Sequence, residues 1–345
     1  FTGIIAEQGS LNIIQNLIGV NAEGDNDGDI EIGIENNGAV LNVEHNYIST
    51  ISESAVLIAG GTSSIIQNNH FINNGSSACD DSILLEDGSG VVIQQNLIEA
   101  SASTAIDGED KVDGTLITEN SFTTSGQDSG NCGGDPEQMA IKLAGNGSSI
   151  SNNVIYQNGG AGIAIVDGTS NLISQNSIYA NGTATPSLGI DLDSDGVTLN
   201  DNSDSDSGPN NLENFPAINS AFISGNNLVV TGWASPGTIV EVFFTDINEG
   251  SAALGDNRLG LTQDYGEGQT YIGTAIEGSG DDQDGSTSAY TDVDGNTDNT
   301  NKYKFVFPVP SGTAVGDLIT TTGTRSNSTS EFSPEITINA YTAIT

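Results

Sequence analysis

The chain has 345 residues and sets 46 Asp+Glu against 6 Lys+Arg, a formal charge of −40. So acidic a surface excludes nucleic acid, an anionic membrane or any polyanion as an unaided partner. No apolar run approaches the roughly 20 residues a membrane-spanning helix needs, so direct membrane insertion is excluded as well.

Two cysteines without a CxxC or Cys/His cluster leave no iron–sulfur or structural zinc pattern. Scarce lysine with abundant Asp, Asn, Ser, Thr and Gly fits an extracellular chain in calcium-containing or salty water, where cations screen the self-repulsion. Phe1 already falls inside a repeat, which predicts a piece of something longer.

From the start of the chain, an apolar-Asn-x-apolar unit recurs. Its reference asparagines are Asn16, Asn46, Asn69, Asn96, Asn120, Asn153 and Asn176, spaced by 30, 23, 27, 24, 33 and 23 residues. A second short strand of small and apolar residues lies between units, as in Ala55-Val56-Leu57-Ile58 and Gly162-Ile163-Ala164-Ile165. A period near 23 with strands this short is too small for a propeller blade and lacks the helix of a leucine-rich or ankyrin repeat. The reading that remains is a right-handed parallel β-helix of about seven to eight coils over 1–214. In it the inward Ile, Leu and Val fill one continuous core and the asparagines stack at a sharp bend as a structural ladder.

Spacings above 23 mark insertions at turns: Asn21 to Asp29, Ser76 to Asp81, Gly126 to Glu137 and Thr183 to Ser187. Cys79 and Cys132 fall in two of them, two coils apart, which predicts a disulfide between loops leaving one edge. The stretch Gly162-Ile163-Ala164-Ile165 through Asn171, Asn176 and Asn181-Gly182 resembles the right-handed β-helix repeats of bacterial surface and secreted proteins. Gly189-Ile190-Asp191-Leu192 to Asn214-Phe215-Pro216 resembles the final coil and exit loop of that group. Tyr265-Gly266-Glu267-Gly268-Gln269 and Thr329-Ser330-Glu331-Phe332-Ser333 resemble the Ig-like module that follows such helices in adhesin-like proteins. The resemblance implies an all-β chain at the bacterial cell surface.

After Pro216 the ladder stops and alternating strands begin, among them Leu228 to Trp233 and Thr238 to Phe244. Period-two alternation predicts a C-terminal antiparallel Ig-like β-sandwich over 215–345 that partly caps the open end of the helix. Trp233 reads as a core aromatic between its sheets.

Acidic residues two apart around Gly can converge on a hard cation, and Ca2+ takes six to eight oxygens from such loops. The candidate metal residues are Asp191, Asp193 and Asp195, then Asp201, Asp204 and Asp206, and finally Asp292, Asp294, Asn296 and Asp298. Asp25, Asp27, Asp29 and Glu31 form a further acidic run, as do Asp281, Asp282 and Asp284. The composition as a whole suggests a non-catalytic, calcium-stabilised rod in adhesion or surface assembly. Its partners would be an extracellular glycan or protein, or further modules of the same chain.

The alternatives are a secreted polysaccharide lyase or hydrolase and a glycan-binding module. A lyase needs a base and a cation for its uronate substrate, yet residues 1–214 hold 30 acidic side chains and only Lys111 and Lys142. A glycosidase needs two carboxylates on one face, which Asp80/Asp81, Asp107/Glu109/Asp110 or Asp191/Asp193 would supply. Convergent carboxylates with a sugar-stacking aromatic would distinguish an enzyme from a scaffold. Tyr156 and Tyr179 occupy matching positions one coil apart, and His45 and His70 do not.

Overall fold

A computed structural model describes residues 1–21, 23–25, 30–77, 79–109, 112–128, 131–132, 135–245 and 261–341. Asp27, Asp29, Asp110 and Lys111 lie outside the described residues.

The described chain is all-β apart from a 3-10 turn at Pro209–Leu212. Three parallel sheets, of eight, seven and seven strands, run the length of a solenoid among the described residues. Each coil gives one strand to each sheet, most of them only three residues long, and registers are regular: Ile83 pairs with Ile106 and Ile106 with Ile141. In the second sheet the middle residue of each three-residue strand points inward, so Ile66, Ile93, Ile117 and Ile150 form a column that is completely buried. Phe71, Ile98, Phe122 and Ile155 do the same in the third. Close stacking at strand spacing makes this a single core running through the tube.

At the corner between the second and third sheets, each reference asparagine donates its backbone N–H and its Nδ2 to Oδ1 of the next, at 2.9–3.0 Å, from Asn16 to Asn176. The sharp bend is not made by the asparagine itself. The residue before it takes the left-handed conformation: Gln15, His45, Asn68, Gln95, Glu119, Asn152 and Gln175, with φ between 54° and 59°. The asparagine side chain then satisfies backbone groups that the bend would leave orphaned, such as Ile66 O by Asn96 Nδ2.

Two further columns accompany the first, five residues to either side. On one side Ser101 N donates to Ser125 Oγ, Ser125 N to Asn158 Oδ1, and Asn158 N and Nδ2 to Asn181 Oδ1. On the other, Thr115 N donates to Ser148 Oγ, Ser148 N to Asn171 Oδ1, and Asn171 N to Asn210 Oδ1.

The C-terminal strands form a second, separate core around Val230, Val242, Tyr303 and Phe305. The sheet is mixed, not wholly antiparallel: Ala217–Ser224 pairs antiparallel with Asn227–Ala234 but parallel with Ile336–Ala340. Trp233 sits half-buried outside that core, stacked on Tyr290 and donating from Nε1 to Ser288. Phe243 and Phe332 leave the C-terminal unit to join the solenoid core and cover its last coil. Tyr156 and Tyr179 stack in register, centroids 5.2 Å apart, on the outside of the third sheet.

Candidate functional site

The middle residue of each three-residue strand in the first sheet points outward. In register these are Leu57, Leu84, Asp107, Lys142, Ala164 and Asp191. The column therefore passes from apolar to ionic in one step of about 4.8 Å. Asp107 and Lys142 are neighbours across that step, with Nζ donating to Asp107 Oδ2 at 3.2 Å.

The last residues of two of the turn insertions meet this ionic pair. Asp81, at the end of one, lies two residues before the strand Ile83–Leu85, and Glu137, at the end of another, lies four before Ile141–Leu143. Glu137 accepts from Lys142 Nζ at 2.6 Å and from Thr104 Oγ1 at 3.3 Å, while Ser103 and Thr104 hydroxyls hold its carbonyl. Carboxylate oxygens of Asp81, Asp107 and Glu137 thus lie within 4.8 Å of one another, and all three residues are buried. They line a cleft of about 770 Å3, together with Leu84, Val166 and the disulfide partners Cys79 and Cys132.

Burial and mutual repulsion govern the charges here. Burial, reinforced by Asp107 and Glu137, pushes the Asp81 carboxyl well above the usual range. Burial likewise raises Asp107 to about 6, Glu137 adding to the rise and Lys142 opposing it. Burial disfavours the Lys142 ammonium, but Asp107 and Glu137 outweigh it and hold the lysine protonated above its ordinary range. One oxygen of Asp81, Oδ1, has no hydrogen-bond partner. The arrangement offers carboxyl groups whose proton affinity is raised beside an ion-paired carboxylate, which is the equipment of acid catalysis.

The candidate metal residues are distributed differently from their spacing in the chain. Asp191 is buried at the end of the same outward column, accepting from Gly196 N and Ser187 Oγ, and burial raises it to about 7. Asp193 lines the carboxylate cleft, and Asp195 lines a smaller cavity with Asp191. Asp201, Asp204 and Asp206 do converge within 4.8 Å, but Arg325 already pairs with Asp204 and Glu213 beside them. Asp292, Asp294 and Asp298 do not converge. Asp292 Oδ1 accepts from the backbone of Asp294, Gly295 and Asn296, Asp294 from Thr262 and Gln263, and Asp298 from Ser203 and Asn299. Asn296 Nδ2 donates to Tyr265 Oη and Asp292 Oδ2, and its Oδ1 accepts from Asn200 N. These carboxylates close loops by hydrogen bonding, which leaves few lone pairs to face a common centre.

The sequence reading weighed Asp81 and Asp107 in separate pairs and passed over Glu137. The signal lay in coil phase: each lies in or just before a first-sheet strand. No aromatic lines the cleft among the described residues, and its apolar wall comes from Leu84, Ala144 and Val166. His70 lies apart on the third sheet, within 2.8 Å of Glu99.

Residues 76–232 match a protein-family model described as "Right handed beta helix region". Two solved structures are similar. The Dettilon tailspike protein gp208 shares 13% identity over 87% of this chain and 69% of its own, with a TM-score of 0.31. Tailspike protein gp49 of the Acinetobacter baumannii bacteriophage Fri1, a capsular polysaccharide depolymerase, shares 11% over 90% of this chain and 70% of its own, with a TM-score of 0.26. The chain is a right-handed parallel β-helix repeat protein with a C-terminal mixed-sheet unit, and its functional reading rests on the cleft's own chemistry.

Proposed function

We propose that the protein is an extracellular glycoside hydrolase acting on a neutral polysaccharide in the cleft of the first sheet. The observation that carries this reading is the convergence of Asp81, Asp107 and Glu137 at one point of that cleft. Glu137 is the nucleophile. Its oxygen bonds to the anomeric carbon as the glycosidic C–O bond breaks, and the leaving oxygen takes the proton of Asp107. Water then attacks the anomeric carbon, returns a proton to Asp107 and releases Glu137. The separation, within 4.8 Å between nearest oxygens, fits the retaining arrangement of about 5–5.5 Å better than the wider inverting one. Elimination is disfavoured because Lys142, the cleft's basic residue, is held protonated and cannot serve as the base. A neutral substrate follows from the −28 of residues 1–214, which repels uronates. The test is release of reducing ends from neutral glucans, mannans and galactans by the wild type and by Asp107→Asn.

A second reading, favoured by the unpartnered Asp81 Oδ1, is the calcium-stabilised scaffold. Once all three are ionised, the carboxylates against one ammonium carry a net −2 that a divalent cation would neutralise, with waters completing its shell. Under that reading calcium uptake by calorimetry is lost in Asp81→Asn and no polysaccharide is cleaved.

A further inference from the structure

Beyond Lys142 the outward column of the first sheet continues through Ala164 to Asp191, so Asp191 stands three strand spacings, about 14 Å, from Asp107. A second cavity of about 250 Å3 lies along that stretch, and all of its lining residues are among the described ones. Ser194 lines both this cavity and the carboxylate cleft. An apolar cluster of Met139, Ala161, Ala164 and Val166 also runs between them, Met139 and Ala161 in the wall of the second cavity and Val166 in that of the first.

The walls of the second cavity are chemically divided and held in place. Met139, Ala161 and Pro186 make one side apolar, while Thr185, Asp191 and Ser194 supply polar groups. Ala184 N and Thr185 N both donate to Gly159 O, Gly160 N donates to Gln138 O, and Thr185 Oγ1 donates to Gln138 Oε1. Ser194 stands apart from this bonding. Its Oγ is buried without a hydrogen-bond partner, and its backbone is left-handed at φ 55°, directly after Asp193 at φ 73°. Strain and an unpaired hydroxyl in one residue both act against the fold, and a ligand hydroxyl would relieve the second once the serine turns about χ1.

We infer that this second cavity is a sugar-binding subsite: it holds one unit of the polysaccharide, two to three units from the bond cleaved, with the ring against Met139 and Ala161 and its hydroxyls on Asp191 and Ser194. An extended pyranose chain advances by about one coil spacing per unit, so a chain laid along the outward column reaches both cavities. An apolar wall with a few placed polar groups is the usual make-up of such a site. Burial raises Asp191 to about 7, so below that pH its carboxyl is uncharged and can both donate and accept, which suits a neutral sugar. The distance from the cleaved bond rests on the hydrolase reading; occupancy of the cavity is measured without cleavage.

Met139 is the chain's only methionine, so labelling with methyl-13C methionine gives a single NMR signal from this chain, placed in the wall of the subsite. Cellohexaose, mannohexaose and galactohexaose are titrated at pH 5 to 6 into Asp107→Asn, which leaves the probes uncut. The expected result is a saturable shift of the Met139 signal with at least one of them, at roughly tenfold weaker affinity once Ser194→Gly is added. Glycine suits the left-handed φ at 194, so that change removes the hydroxyl and keeps the turn. A Met139 signal unmoved by all three overturns the inference, as does a shift that Ser194→Gly leaves at full affinity. Cleavage of the corresponding polysaccharides by the wild type in either case leaves the hydrolase reading standing. A Ser194-dependent shift without any cleavage by the wild type upholds the subsite and rejects the hydrolase reading instead.

Discussion

Asn181 Nδ2 donates to Glu267 Oε1 at 2.9 Å, so a corner column of the solenoid ends on a carboxylate supplied by the C-terminal unit. The same substitution of partner occurs elsewhere on the last coil. Glu241 accepts from Ser174 Oγ and Gln175 N, and Glu331 accepts from Leu192 N and Thr198 N. A parallel helix that stops leaves N–H groups with no next coil, and buried glutamates take the place of that coil. Glu267→Ala therefore takes the acceptor from the buried Asn181 backbone N–H and one of the acceptors from its Nδ2, and should cost about 1–3 kcal/mol, read by thermal or urea unfolding. A loss of less than a few tenths of a kcal/mol would show that Glu267 does not hold the junction, leaving it to Glu241, Glu331, Phe243 and Phe332.

Asn96 makes the same contacts one coil after another: Nδ2 to Ile66 O, Gln94 O and Asn120 Oδ1, and Oδ1 from the N–H and Nδ2 of Asn69. Asn96→Ala removes both halves of a buried relay and is expected to destabilise by about 2–3 kcal/mol. Substitution of the exposed neighbour Asn73, which carries a left-handed φ of 55° but no ladder contact, serves as the comparison.

Gln95 turns the bend before Asn96 at φ 56°. A left-handed conformation costs an L-residue roughly 1–2 kcal/mol, and a β-branched side chain tolerates it least. Gln95→Ile should lower stability by about that amount, while Gln95→Gly should be neutral or stabilising. The opposite order in urea midpoints would contradict the assignment of the strain to this position.

Stability should fall as pH rises. Burial, with Asp191 adjacent, lifts Glu331 well above the usual range, and burial lifts Asp191 to about 7. Each binds a proton in the fold that the unfolded chain releases near pH 4, so their contribution is complete below about pH 4 and is lost as pH climbs through 7. The melting temperature is expected to be higher at pH 5 than at pH 8. Glu331→Gln keeps an acceptor oxygen without an ionisable proton and should narrow that difference. An increase in melting temperature toward pH 8 would contradict the shifts.

Much of the solenoid is legible in the residues because its physics is local and repeated. Asn96 to Asn120 to Asn153 announces a stack, and inward Ile93, Ile117 and Ile150 fill it. The flanking columns are written there too, since Asn158 and Asn181 follow Asn153 and Asn176 by five residues, but their other positions are Ser and Thr and carry no single repeated residue. The left-handed residue escaped because Gln, His, Asn and Glu share no side-chain property that marks it. The cleft was harder still. Asp81 and Glu137 stand 56 positions apart, and only the coil phase, altered by two insertions, brings them to Asp107. Paired acidic spacing is ambiguous at Asp292 to Asp298 because a carboxylate beside Gly closes its own turn as readily as it binds a cation.

The most direct measurement follows anomeric protons by NMR while the protein acts on neutral glucans, mannans and galactans at pH 5 to 6. New reducing-end signals, first appearing in the configuration of the bond cleaved and reduced at least about a hundredfold in a folded Glu137→Gln variant, are the predicted result. No new signal from any of these polysaccharides, or equal cleavage by the variant, would contradict the assignment of the Asp81, Asp107 and Glu137 cleft as a hydrolytic site.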